Sequence, residues 1–240
     1  MRGIVQIAGV RDADEARRLC DLGVDWLGFP FRLDHHGEDL SEEEAREIIA
    51  DLPASVTPVL ITYLTEAEEI LELSRFLGTR LVQLHGRVEA DLGRQLRRAS
   101  PELGLIRSLI VKPGGVAELE EALRAWTPWA DYFLTDSYDP ETGASGATGK
   151  VHDWETSREL VRKAKKPLIL AGGLNPDNVA EAIRQVHPAG VDSHTGVENK
   201  LGAKEASKVE AFLTAARQAF ALLSLREQGP RGFDRKVGPS

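Results

Sequence analysis

Eight short β-branched or apolar runs alternate along this chain with eight segments that carry Glu, Arg, Leu and Ala at helical spacing. The runs predict strands near Ile4–Gly9, Trp26–Phe31, Pro58–Tyr63, Leu81–Leu84, Leu105–Val111, Tyr132–Asp136, Pro167–Ala171 and Gly190–Ser193. The intervening segments predict helices near Ala13–Leu22, Glu42–Leu52, Glu66–Leu77, Glu89–Ala99, Val116–Trp126, Trp154–Lys165, Asn178–Val186 and Lys204–Leu223. Ser41 with Glu44 three residues on is a helix-start signal, because the two side chains can satisfy each other's backbone N–H groups. Parallel strands need helical crossovers, and eight such units within about 220 residues close the sheet on itself. The expected fold is therefore α/β, a single (β/α)8 TIM barrel over residues 1–225, with a doubly wound open sheet as the competing arrangement. Two segments fall outside the repeat. Asp139–Gly149 is too long and Gly-rich for a plain connection and reads as a lid over the rim, with a tolerated surface insertion as the alternative. Residues 226–240 form a polar, Gly- and Pro-rich tail expected to be flexible.

Composition narrows the partners. A chain of 240 residues with 42% hydrophobic and 28% charged residues can bury one full core. The net charge of −8, with no basic stripe, argues against nucleic acid, which demands clustered Lys and Arg. Cys20 is the sole cysteine, so no internal disulfide forms, as in a reducing compartment. Met1–Ile7 lacks the apolar stretch of a secretory leader, and no apolar run approaches the roughly 20 residues that span a bilayer. The expectation is a cytoplasmic protein with no membrane contact, either monomer or homodimer.

In a barrel, catalytic groups sit at the C-terminal ends of the strands. Five of the six histidines fall there: His35, His36, His85, His152 and His194. Imidazole is the side chain most readily used near neutral pH as acid, base or metal ligand. Asp136 ends strand six and Asp192 lies on strand eight, so each is a candidate acid or base, or else a structural acceptor of backbone hydrogen bonds. Gly172 and Gly173 stand where strand seven gives way to a helix, and His194, Thr195 and Gly196 follow strand eight. Loops seven and eight are the usual phosphate seat of a barrel, and glycines let backbone N–H groups close on an anion. The plainer reading of Gly172–Gly173 is a tight turn. His187 lies at the opposite end of the barrel.

Seven ordered blocks, Gly9–Arg11, Gly23–Phe29, Ser41–Arg46, Val82–Gly86, Thr148–Trp154, Leu170–Val179 and Gly190–Glu198, resemble those of the phosphoribosylanthranilate isomerase family of tryptophan biosynthesis. The likeness runs over roughly residues 4 to 213. It implies a (β/α)8 barrel and an Amadori rearrangement, in which a phosphorylated aminoaldose opens and isomerises to an aminoketose. The family's general acid aligns with Asp136, while Gln83, His85 and Asp192 join Gly172, Gly173, His194, Thr195 and Gly196 in the substrate- and phosphate-binding set. The departures fall on the chemistry. Ala8 stands where the family carries a cysteine as general base, Arg32–Asp39 replaces a Ser-Pro-Arg segment, His152 replaces a Phe, and His194 and Thr195 replace paired serines.

Three readings follow. The first is an aldose–ketose isomerase in which His35 or His36 replaces the thiolate as base, with Asp136 as acid and no cofactor. The second is a repurposed phosphosugar enzyme, in which a divalent metal held by Asp34, His35, His36, Asp136, His152 and His194 assists. The third is a non-catalytic binder of a phosphorylated metabolite.

Overall fold

The computed structural model describes residues 2–33, 39–112, 114–137 and 154–227. Its strands are β1 (Ile4–Ala8), β2 (Trp26–Phe31), β3 (Thr57–Thr62), β4 (Leu81–Leu84), β5 (Gly104–Val111), β6 (Tyr132–Ser137), β7 (Leu168–Leu170) and β8 (Gly190–Ser193). The helices are α1 (Ala13–Leu22), α2 (Glu42–Ala50), α3 (Ala67–Leu77), α4 (Ala90–Ala99), α5 (Val116–Trp126), α6 (Trp154–Lys163), α7 (Val179–Val186) and α8 (Ala206–Glu227). The strands pair in chain order, all parallel, and β8 returns to β1, so the sheet is the closed barrel that the alternation predicts.

Boundaries move by a few residues, each for a local reason. Helix α8 starts at Ala206 rather than Lys204, because Lys204 is tied to Glu198 in an antiparallel bridge and its N–H donates to Glu15 Oε1 at 2.6 Å. Helix α2 stops at Ala50, short of Leu52, since the residue before Pro53 is biased away from helical geometry. A single 3₁₀ turn, Thr195–Val197, follows β8 and was not anticipated. The Ser41–Glu44 signal holds: the Glu44 N–H donates to Ser41 Oγ at 3.2 Å and the Ser41 N–H to Glu44 Oε2 at 2.9 Å.

The core has two compartments. One lies between the sheet and its helices. The other fills the barrel with Trp26, Val59, Leu81, Ile106, Leu134 and Ile169 among its residues, closed toward the N-terminal end by Trp26 against Tyr132, edge to face at 5.0 Å. Toward the C-terminal ends the interior turns polar, with Gln6, Gln83, Ser108, Asp136 and Asp192 all buried. Alternation along a strand sends every second side chain inward, so this change of character is written into the inward phase of each strand.

Candidate active site

The polar layer is organised from β1 to β6. Gln6 Nε2 donates to Gln83 Oε1 at 3.0 Å, and Gln83 Nε2 approaches His85 Nδ1 at 3.4 Å. Ser108 Oγ is 3.1 Å from the same nitrogen. The other ring nitrogen, Nε2, faces Asp136 Oδ2 at 3.8 Å. His85 itself is 6% exposed, a strand-end histidine built into the wall.

Asp136 occupies the rim end of β6. The Ser137 N–H donates to its Oδ1 at 2.7 Å, yet burial outweighs that bond and pushes the carboxyl up to about 7. Asp192, opposite Gln6 in the β1–β8 register, is likewise pushed up to about 7, by burial first and by repulsion from Asp136 second, with the Gln6 amide pulling the other way. Among the described residues, Asp192 Oδ1 and Gln6 Oε1 have no hydrogen-bond partner. A carboxylic acid that keeps its proton near neutral pH can donate it to a reacting oxygen.

Gly172 and Gly173 bridge β7 to α7, both with left-handed φ (94° and 65°), and among the described residues no acceptor takes their N–H groups. Asn178 Nδ2 holds the turn by donating to the Gly173 carbonyl at 3.0 Å. The 3₁₀ turn lies directly against it: a Cβ added to Gly196 would stand 1.9 Å from the Leu174 carbonyl oxygen. Thus the Gly172–Gly173 turn and the Thr195–Val197 turn lie against each other at one corner of the rim, a glycine-rich arrangement of the kind that lets backbone approach an anion closely.

His194 opens that turn with its side chain 28% exposed. Its Nε2 is 3.4 Å from Glu198 Oε1, and Lys204 Nζ binds the same oxygen at 2.6 Å. On the other flank the ring rests against Gly9, next to Ala8. A cavity of about 930 Å³ opens over β3 to β5, lined by Arg32, Tyr63, His85, Arg87, Ser108 and Lys112 among others. Arg32, at φ 55° in the left-handed region, binds Glu42 through Nε at 3.0 Å.

His35, His36, His152 and the Asp139–Gly149 segment lie outside the described residues. Among the described residues, no group of three or more His, Cys, Asp or Glu side chains is placed to hold a metal ion. No helix there is long and apolar enough to cross a membrane. Sequence reasoning assigned no role to Gln6, Glu15, Glu198 or Lys204. Gln6 carried a readable signal, a polar residue in the inward phase of an apolar strand. Glu198 and Lys204 did not, since their pairing depends on how the chain folds back after the 3₁₀ turn.

A sequence model of the N-(5'-phosphoribosyl)anthranilate (PRA) isomerase family matches residues 5–215. The chain is 34% identical over 218 residues to N-(5'-phosphoribosyl)anthranilate isomerase 2 of Methanosarcina mazei, covering 90% of this chain and 95% of that protein. It resembles the phosphoribosyl anthranilate isomerase of Thermotoga maritima at TM-score 0.77 and 30% identity, over 90% of this chain and 99% of the other. A further isomerase structure, in complex with reduced 1-(o-carboxyphenylamino)-1-deoxyribulose 5-phosphate, matches at TM-score 0.75 and 28% identity over the same shares.

Proposed function

Because the chain belongs to the N-(5'-phosphoribosyl)anthranilate isomerase family, we propose that it converts that phosphoribosylated amine to 1-(o-carboxyphenylamino)-1-deoxyribulose 5-phosphate, a step of tryptophan biosynthesis. The observation that carries the reading is Asp136, a buried carboxyl at the end of β6 that holds its proton to about 7. Asp136 gives that proton to the ring oxygen as the C1–O bond breaks, and the anthranilate nitrogen supplies the electron pair of the new C1=N bond. A base then takes the proton on C2, the pair forms a C1=C2 enolamine, and tautomerisation delivers a proton to C1 and a carbonyl at C2. The redox change is internal to the substrate, so one acid and one base suffice and no cofactor or metal enters the scheme.

The 5'-phosphate is assigned to the corner of Gly172, Gly173, Thr195 and Gly196. The aromatic carboxylate is assigned to the cavity over β3 to β5, where Arg32, Arg87 and Lys112 supply positive charge. The test is turnover of N-(5'-phosphoribosyl)anthranilate by the purified chain, with and without a chelator. Equal turnover in both samples is the expected result. Activity that needs added metal would replace the acid–base scheme with the metal-assisted one, and binding of the reduced product analogue without turnover would make the chain a binder.

A further inference from the structure

We propose that His194 is the general base that takes the C2 proton, an assignment that rests on the isomerase reading above. Asp136, Asp192, His85 and His194 are the groups that the described residues bring to the barrel mouth and that can trade a proton near neutral pH. Asp136 is committed as acid. His85 stands beside it, with Nδ1 turned to Ser108 and Gln83. Asp192 lies deeper, opposite Gln6 and repelled by the Asp136 charge, so its ionised form is disfavoured whenever Asp136 loses its proton.

His194 stands apart from that pair. The β1–β8 register runs Gln6 to Asp192 and Ile7 to Ser193, so the next step sets His194 beside Ala8. His194 follows β8 as the first residue of the turn, with φ −114° and ψ −84°, so its direction is set by the turn and by its contact with Gly9 rather than by strand alternation. The bare methyl of Ala8 can accept no proton, and the imidazole stands over the same strand end. Gly9 makes room for it: with φ at 78°, any side chain there would put its Cβ 2.2 Å from His194 Nε2.

Glu198 orients the ring: its Oε1 lies 3.4 Å from Nε2 and is placed to accept a hydrogen bond from it, so the lone pair that takes the C2 proton is that of Nδ1. Glu198 is fixed in turn by Lys204 Nζ at 2.6 Å, and the Lys204 N–H is anchored on the buried Glu15. In the step assigned to it, the C2–H bond breaks, its electron pair becomes the C1=C2 bond, the C1=N pair returns to nitrogen, and the proton passes to the imidazole. That proton is then available for C1 as the enolamine becomes the ketone.

The experiment compares steady-state turnover of N-(5'-phosphoribosyl)anthranilate by the wild type, His194→Ala and His194→Asn, using substrate with hydrogen or deuterium at C2. Loss of kcat by about 10²- to 10⁴-fold in both variants is expected, with KM held within about threefold and a larger C2 isotope effect on kcat than in the wild type. Retained kcat with a raised KM would overturn the assignment and make His194 a phosphate ligand. So would retained kcat in these variants together with its loss in His35→Ala, His36→Ala or Asp192→Asn. A wild type that turns over no substrate would instead overturn the isomerase reading, and the base with it.

Discussion

Asp136 and Asp192 bring two buried carboxyls into one polar layer, and near neutrality they are best described as a pair in which one proton is readily retained. The proposed mechanism uses the protonated form of Asp136, which is present below about 7 and lost above it. The rate constant kcat/KM should therefore fall as pH rises past that value, and Asp136→Asn should lower kcat by about 10²- to 10⁴-fold and abolish that alkaline limb. A pH–rate profile of both proteins checks it. Asp192 makes a separate prediction about stability. Its ordinary value is 3.8 and its folded value about 7, so the native state holds the extra proton between them. Its stabilising contribution is full below the lower value and is lost as pH rises through the higher one. Asp192→Asn should accordingly leave stability at pH 4 nearly unchanged and raise it at pH 8 by on the order of 4 kcal/mol, read by urea denaturation at each pH. At this scale the sequence disclosed Asp136, Asp192 and His85 as rim residues, because strand ends are legible from apolar runs. It did not disclose that His194 leans on Gly9 or that Glu198 and Lys204 hold it. Those contacts join residues that are distant in sequence or separated by an irregular turn, and no periodicity encodes them.

The junction of β7 with α7 and the 3₁₀ turn after β8 form the corner assigned to the phosphate, and its geometry depends on missing side chains. A Cβ on Gly196 would meet the Leu174 carbonyl oxygen at 1.9 Å and its carbon at 2.8 Å, both backbone atoms that move only if the loop moves. Gly196→Ala should therefore spread the two loops and raise KM by about tenfold, or 1.4 kcal/mol, with inhibition by inorganic phosphate weakened in parallel. An unchanged inhibition constant would move the phosphate elsewhere. Elements with clear ends were the most legible: α1, α5, β2, β4 and β8 match their expected bounds to the residue. Elements whose ends depend on partners shifted, as α8 did when Lys204 was drawn into the bridge with Glu198. The 3₁₀ turn was hidden because three residues carry no periodic signal.

On the scale of the whole molecule, the barrel divides into a chemical end and a holding end, and the two can be separated by substitution. The alternation of strands and helices made the closed barrel legible, but not how the last helix seals the β8–β1 seam. Helix α8 does so through Arg217, which donates to the Gly3 carbonyl at 2.7 Å and to Asp25 Oδ2 at 2.7 Å, and through Phe220, which packs where Gly3 has no side chain. Asp25 is the hub, since its Oδ2 also accepts from the Val5 N–H at 2.8 Å and its Oδ1 from Arg2 at 3.2 Å. It precedes β2, at the end of the barrel away from Asp136 and the Gly172–Gly173 turn. Asp25→Ala strips acceptors from a partly buried N–H and a guanidinium, which should cost on the order of 2 kcal/mol. For a chain of this length that lowers Tm by about 4 to 8 °C. Turnover per folded molecule should stay at the wild-type value, because groups at the N-terminal end of barrel strands serve stability and not chemistry. Thermal denaturation and kcat measured on the same preparation decide the matter. A variant that kept its Tm would show that the seam is held by the apolar packing of α8 alone, and one that lost kcat while folded would show that the two ends are coupled.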